Sequence, residues 1–190
     1  MSAYLSLIFV FTNNIEVRTN KKAGTMKKKF LLLIAIIYGG VCYGQMMNIE
    51  VNSKAKVYSV DSVQINADIH KVYSLISNIN DWPGWFEGVT EVHLEGNVEE
   101  GKSFIWKAQG HKIKSKIHTV KPDCAFGWTG KMWWIKAVHN WYFKSLPNGG
   151  TEVIVKESFG GLGSSFMKNS VRKDMRNDLV CLKKESETAY

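Results

Sequence analysis

Through residues 126–162 apolar side chains recur at every second position. Phe126 and Trp128, then Ala137, His139, Trp141 and Phe143, then Val153, Val155, Glu157 and Phe159 form three alternating sets. Side chains of a strand point alternately to opposite faces, so each set lies on one side of a sheet. That face is aromatic, with one histidine and one carboxylate set into it. Pro147-Asn148-Gly149-Gly150 joins two of the strands as a hairpin. So large an apolar face needs a cover, and the last helix offers one. Met167, Val171, Met175, Leu179 and Leu182 recur at three or four, while Lys168, Arg172, Lys173, Arg176 and Lys183 face out. Ser164 or Ser165 is its expected cap. Helix and sheet together are expected to enclose a pocket.

Upstream, Val57 to Ile65 reads as a first strand. Asp68 then caps a helix whose Ile69, Val72, Tyr73 and Ile76 form one buried face, ending at Asn78. Ile79 to Phe86 reads as a tight turn or second short helix. Its Trp82, Trp85 and Phe86 either plug one end of the core or line the mouth of a cavity, where an amphipathic indole suits a half-wet site. Val89 to Leu94 alternates again, and Phe104, Trp106 and Ala108 make the next strand. His111 to His118 sets Ile113, Ser115 and Ile117 on one side and Lys112, Lys114, Lys116 and His118 on the other. That basic stripe reads as the wet face of an antiparallel strand, or as a docking patch for an anionic surface. Of the adjacent Trp133 and Trp134, one indole should be exposed unless something covers it.

The net charge of +8 over 190 residues invites a nucleic-acid reading. Its distribution argues against one. Arg18, Lys21, Lys22 and Lys27 to Lys29 stand against Glu16 alone in residues 1–44, which leaves +3 on the rest. No aromatic residues sit among the lysines of the basic strand, as a nucleic-acid platform requires. Met26 followed by three lysines and FLLLIAIIYGGVCYG reads as a secretory signal cut near Gly44/Gln45. The expected organisation is therefore an upstream extension or mis-assigned start over 1–25, a signal peptide over 26–44, a flexible leader over 45–56 and one domain over 57–190. Export to the periplasm or outside follows, with no stable membrane insertion after cleavage. The apolar run from Phe30 to Tyr38 is too short to span a bilayer, and a lipid anchor on Cys42 is the competing reading. Cys124 and Cys181 either form a disulfide or stay free thiols. There is no metal-ligand spacing and no phosphate-cradling glycine loop, so no cofactor is expected.

In this order the elements resemble the START-like (SRPBCC) superfamily, in particular its polyketide cyclase/dehydrase-like branch. The residues that carry the resemblance include Ile65-Asn66-Ala67 leading into Val72–Ser77, Asp81-Trp82-Pro83-Gly84-Trp85, Gly101–Trp106 and Lys121-Pro122. His139–Phe143, Gly150–Val153 and Glu157–Leu162 continue it. The resemblance spans about Val57 to Lys184. It implies an α+β helix-grip fold: a curved seven-stranded antiparallel sheet around a long C-terminal helix, two short helices between strands 1 and 2, and a hydrophobic cavity between sheet and helix. Asp68 stands where the family commonly has proline, which touches capping only.

Fold does not fix function. The expected ligand-binding residues are Trp82, Trp85, Phe104, Trp106, Trp128, His139, Trp141, Phe143, Glu157, Phe159, Met167 and Met175. The expected partner is a small hydrophobic or aromatic molecule. The hairpin makes the strands of His139 and Glu157 neighbours. The two either close the core as a satisfied pair, anchor a ligand, or act as weak candidates for acid/base catalysis. The first reading is an exported carrier without enzymatic activity; the alternative is a cyclase/aromatase-like enzyme in which His139 and Glu157 move protons. Export favours the carrier.

Overall fold

The computed structural model describes residues 47–188. The expected signal peptide, the alternative start and Cys42 lie outside the described residues. Seven strands form a single antiparallel sheet: β1 (Val57–Ile65), β2 (Val89–His93), β3 (Ser103–Ala108), β4 (His111–Lys121), β5 (Ala125–Met132), β6 (Ile135–Ser145) and β7 (Thr151–Gly160). Their order across the sheet is β1-β7-β6-β5-β4-β3-β2. Between β1 and β2 lie α1 (Ile69–Ser77) and a 3-10 turn (Ile79–Gly84), and α2 (Lys168–Glu187) comes after β7. This is the helix-grip arrangement expected from the sequence.

Local chemistry accounts for the element ends. The Asp68 carboxylate accepts from the His70 amide at 2.8 Å, capping α1, which buries Val72, Tyr73 and Ile76. Neither Ser164 nor Ser165 caps the last helix. A 3-10 turn over Ser164–Met167 comes first, and Met167 occupies the cap position of α2 with no side-chain bond. Val171, Met175, Leu179 and Leu182 are buried as the periodicity requires, while Met167 is half-buried.

Helix α2 is fastened along the edge strand β1. Arg176 meets Asp61 at 2.8 Å, Lys183 Nζ donates to the Gln64 carbonyl at 2.7 Å, and the Asn66 amide donates to Glu187 at 2.7 Å. Exposed pairs of this kind contribute at most about 1 kcal/mol each, so the apolar stripe holds the helix and the polar contacts set its register. Cys181 on α2 is a free thiol, so a Cys124–Cys181 bridge is not formed. Among the described residues no helix is long and apolar enough to cross a membrane.

On the outer face of the sheet the leader is tied down without forming a helix or strand. The Asn48 amide donates to Thr119 Oγ1, Asn140 Nδ2 donates to the Ile49 carbonyl, and the Asn52 amide donates to Ser158 Oγ. This cover changes the reading of His118. The sequence places it in the wet basic stripe, but it is 7% exposed. A register shift between Ile117 and Thr119 inserts it as an extra residue beneath the leader. Lys112, Lys114 and Lys116 do face solvent.

Trp133 and Trp134 are not strand residues. They form the two-residue turn between β5 and β6, and both indoles are exposed.

Candidate functional site

A transverse row of side chains crosses the concave face: Ser59 on β1, Glu157 on β7, His139 on β6, Trp128 on β5 and Ile117 on β4 are successive cross-strand partners. Register alone brings the two polar groups together, and their side chains meet, with His139 Nδ1 2.7 Å from Glu157 Oε1. Both are largely buried. The imidazole is also fixed on its faces. Trp128 stacks on it at 5.2 Å between ring centres, and Phe159 meets it edge-on at 5.5 Å.

A carboxylate can only accept, so the shared proton sits on Nδ1 and Nε2 is left as the ring's free nitrogen. Nε2 faces the one gap in the neighbouring row. Gly130 on β5 has no side chain, and a Cβ built there would lie 3.7 Å from His139 Nε2 and 3.6 Å from both Ser115 Oγ and Ile113 Cγ2. Ser115 Oγ accepts from the Trp106 indole at 3.0 Å. The Trp128 and Trp141 indole N–H groups are buried without a hydrogen-bond partner. A histidine acceptor thus stands in an aromatic wall beside a space of about one carbon.

The opposite wall brings carboxylates that sequence reasoning missed. Asp178 on α2 is held well above the ordinary carboxylate range, first by burial and then by the charges of Glu157, Asp174 and Glu87. Asp174 is raised too, by burial and then by Glu157. The signal was available: Asp174 and Asp178 are four apart and directly adjacent to the buried Met175 and Leu179, which puts them beside the apolar stripe on one flank. Among the described residues no group of histidine, cysteine and carboxylate side chains is arranged to hold a metal ion.

The other expected site residues lie elsewhere. Trp82 is fully buried and packs against Phe86, Phe104, Trp106 and Trp128 at 5.2 to 5.7 Å between ring centres, while its N–H donates to the Ile76 carbonyl. With Phe104 and Trp106 it plugs one end of the hollow. Phe143 packs on Tyr73 under α1, Trp141 stacks on Trp128, and Met175 is in the core. Trp85 is half-buried in the turn that carries Glu87 to Cys181 of α2. The structure therefore joins Trp128, His139, Glu157 and Phe159 into one constellation and places Trp82, Phe104, Trp106, Trp141, Phe143 and Met175 around it as packing.

A groove of about 1040 Å³ crosses the outer face and reaches Ser115, Gly130 and Phe159 of the site strands. It runs between the row Ser103–Lys116–Thr129–Val138–Ser158 and the row Ile105–Lys114–Lys131–Lys136–Gly160, with Trp134 at one end.

A curved antiparallel sheet gripping a long C-terminal helix is the fold of the START-like class. Residues 56–187 match the family described as polyketide cyclase / dehydrase and lipid transport, and the chain belongs to that family. Among solved structures it is similar to a hypothetical protein of Helicobacter pylori (TM-score 0.67, 15% identity, 72% of this chain and 92% of that one). It is likewise similar to a START superfamily protein from Mycobacterium smegmatis (0.60, 11%, 68% and 97%) and to the Zhui aromatase/cyclase from Streptomyces sp. R1128 (0.60, 11%, 68% and 93%). A curated relative, polyketide synthase 1 of Metarhizium brunneum, is 26% identical over 125 residues; the match takes in 66% of this chain and 5% of that protein.

Proposed function

We propose that the protein is an exported carrier of a small apolar or aromatic molecule bearing a hydroxyl or enol group. The ligand lies on the concave side with its polar group on His139 Nε2. The observation that carries this is the orientation of the imidazole: Glu157 holds Nδ1 at 2.7 Å, and the free nitrogen looks over Gly130, where there is room for another atom. Apolar surface on Trp128 and Phe159 supplies affinity, and the hydrogen bond supplies orientation. The basic and then apolar run over 27–44 supports export.

A second reading has one observation in its favour. An imidazole oriented by a carboxylate is also the arrangement of a general base, so His139 would take the proton of an enol or hydroxyl and return it elsewhere on the same ligand, as a cyclase or aromatase requires.

One experiment separates the two. The small molecule is extracted from protein purified from its own host and added back to stripped protein and to the variant His139→Ala. A carrier loses one hydrogen bond, about 1–3 kcal/mol of affinity, and returns the molecule unchanged. An enzyme converts it, and the variant loses turnover by orders of magnitude.

A further inference from the structure

Four large apolar side chains stand in solvent at one end of the domain. Trp133 and Trp134 are 67% and 74% exposed, and Leu162 and Phe166, in the connection from β7 to α2, are 83% and 94% exposed. The two loops are neighbours: the Trp134 carbonyl lies against Gly161 so closely that a Cβ there would overlap it. Single exposed apolar residues are ordinary, but four gathered at one end mark a surface that meets something apolar. The turn also holds its indoles against local preference. Trp133 has a φ of 51°, a left-handed conformation rare for a bulky residue and usual for glycine.

The surface behind these residues is basic. Lys131 and Lys136 flank the turn and face each other across β5 and β6, and Lys114 faces Lys131 from β4. Like charges directly opposite in a ladder are destabilising, and no carboxylate nearby in the chain relieves them. Segments 101–122, 124–151 and 158–173, which supply β4, the β5–β6 hairpin and the β7–α2 connection, contain no aspartate or glutamate. Among the described residues Lys114, Lys116, Lys131 and Lys136 make no ion pair.

We propose that this end docks on the surface of an anionic lipid bilayer. Trp133, Trp134, Leu162 and Phe166 enter the boundary between headgroups and acyl chains, and Lys114, Lys131 and Lys136 rest on the lipid phosphates. Indoles favour that boundary because the ring is apolar and its N–H is polar, while lysine stems reach past apolar surface to the charged layer. Stable anchoring takes two contributions, such as an apolar one and an electrostatic one, and this end supplies both. A soluble polyanion would use the lysines and leave the apolar tip idle. The docked end adjoins the ligand site along β5, since Gly130 directly precedes Lys131; the inference stands whether or not that site is occupied.

The test is vesicle flotation at low salt with protein isolated from its own host, using phosphatidylcholine vesicles with and without phosphatidylglycerol. The protein floats with the anionic vesicles and not with the neutral ones. Lys131→Gln with Lys136→Gln lowers partitioning about 25-fold, at about five-fold per lysine. Trp133→Gly with Trp134→Ser lowers it on the order of ten-fold or more and leaves the urea midpoint unchanged or raised, because glycine accepts the positive φ. Should that variant lower the midpoint, Leu162→Ser with Phe166→Ser poses the same question from the other loop. Equal flotation with both vesicles, no flotation, or partitioning indifferent to the lysine or apolar variants would overturn the proposal. So would heparin binding that depends on the lysines, combined with absent flotation, which would assign the groove to a soluble polyanion.

Discussion

His139 Nδ1 and Glu157 Oε1 lie 2.7 Å apart on strands whose register makes the two residues direct partners. The contact is largely buried, so the way it is removed matters more than its removal. Glu157→Gln keeps an acceptor for the imidazole N–H, whereas Glu157→Ala leaves that donor without one. The alanine variant is therefore less stable than the glutamine variant by about 1–3 kcal/mol, read as the difference in urea unfolding free energy. Equal stabilities would mean that the ring finds another partner and is not held by Glu157.

Two glycines on β5 give opposite results on gaining a methyl group. A Cβ at Gly127 would sit 2.5 Å from His118 Cε1 and 2.9 Å from Nε2, inside van der Waals contact with a buried ring. Gly127→Ala costs about 1–3 kcal/mol, and part of that cost disappears when His118→Ala is added, a coupling that a double-mutant cycle measures. At Gly130 the nearest atoms are 3.6–3.7 Å away, so Gly130→Ala leaves stability within about 1 kcal/mol of the parent.

Asp178 makes stability fall as pH rises. Its carboxyl is held well above the ordinary range by burial and by Glu157, Asp174 and Glu87, so the folded state binds a proton that the unfolded chain, with an aspartate pKa of about 3.9, has already released. The stability from this group is complete below the unfolded value and is lost as pH climbs through the folded one. Asp178→Asn removes the dependence and is the more stable protein at pH 8. Chemical denaturation at pH 5 and pH 8 checks this, and parallel profiles for parent and variant would contradict it.

His118 has the opposite sign. Burial beneath the leader is the chief cause that lowers its pKa to about 4, against an unfolded value of about 6.5. Its contribution is present above the unfolded value and is lost as pH falls through the folded one. A charged ring is then left under Asn48–Asn52, so the leader is expected to open before the domain unfolds. Limited proteolysis between residues 47 and 56 should accelerate as pH drops from about 6.5 to about 4, and should not do so in His118→Gln.

The fold was legible because alternation is strict wherever the sheet is half-buried. Phe126, Trp128, His139, Trp141 and Glu157 point as their spacing requires, and the His139–Glu157 meeting follows from the Asn148-Gly149 hairpin. Four features escaped for physical reasons. One inserted residue after Ile117 shifts the ladder, and a pattern of twos carries no mark of it, so the alternation places His118 on the exposed face. The leader bonds through backbone and amide groups, which leave no apolar period. Asp174 and Asp178 flank the apolar stripe, where surface carboxylates are usual, and only the packed helix brings their charges within reach of Glu157. The turn at Trp133 and Trp134 carries no mark in the pattern, because bulky residues so seldom adopt a positive φ.

The central claim, a small molecule seated on His139 Nε2 above Gly130, is tested most directly by native mass spectrometry of parent and Gly130→Val proteins purified side by side from the same host. Valine overfills the gap with side-chain carbon while leaving His139 and Glu157 unsubstituted. The account predicts an added mass on the parent that is absent from a folded Gly130→Val protein; the same adduct at the same occupancy on both, or none on either, would contradict it.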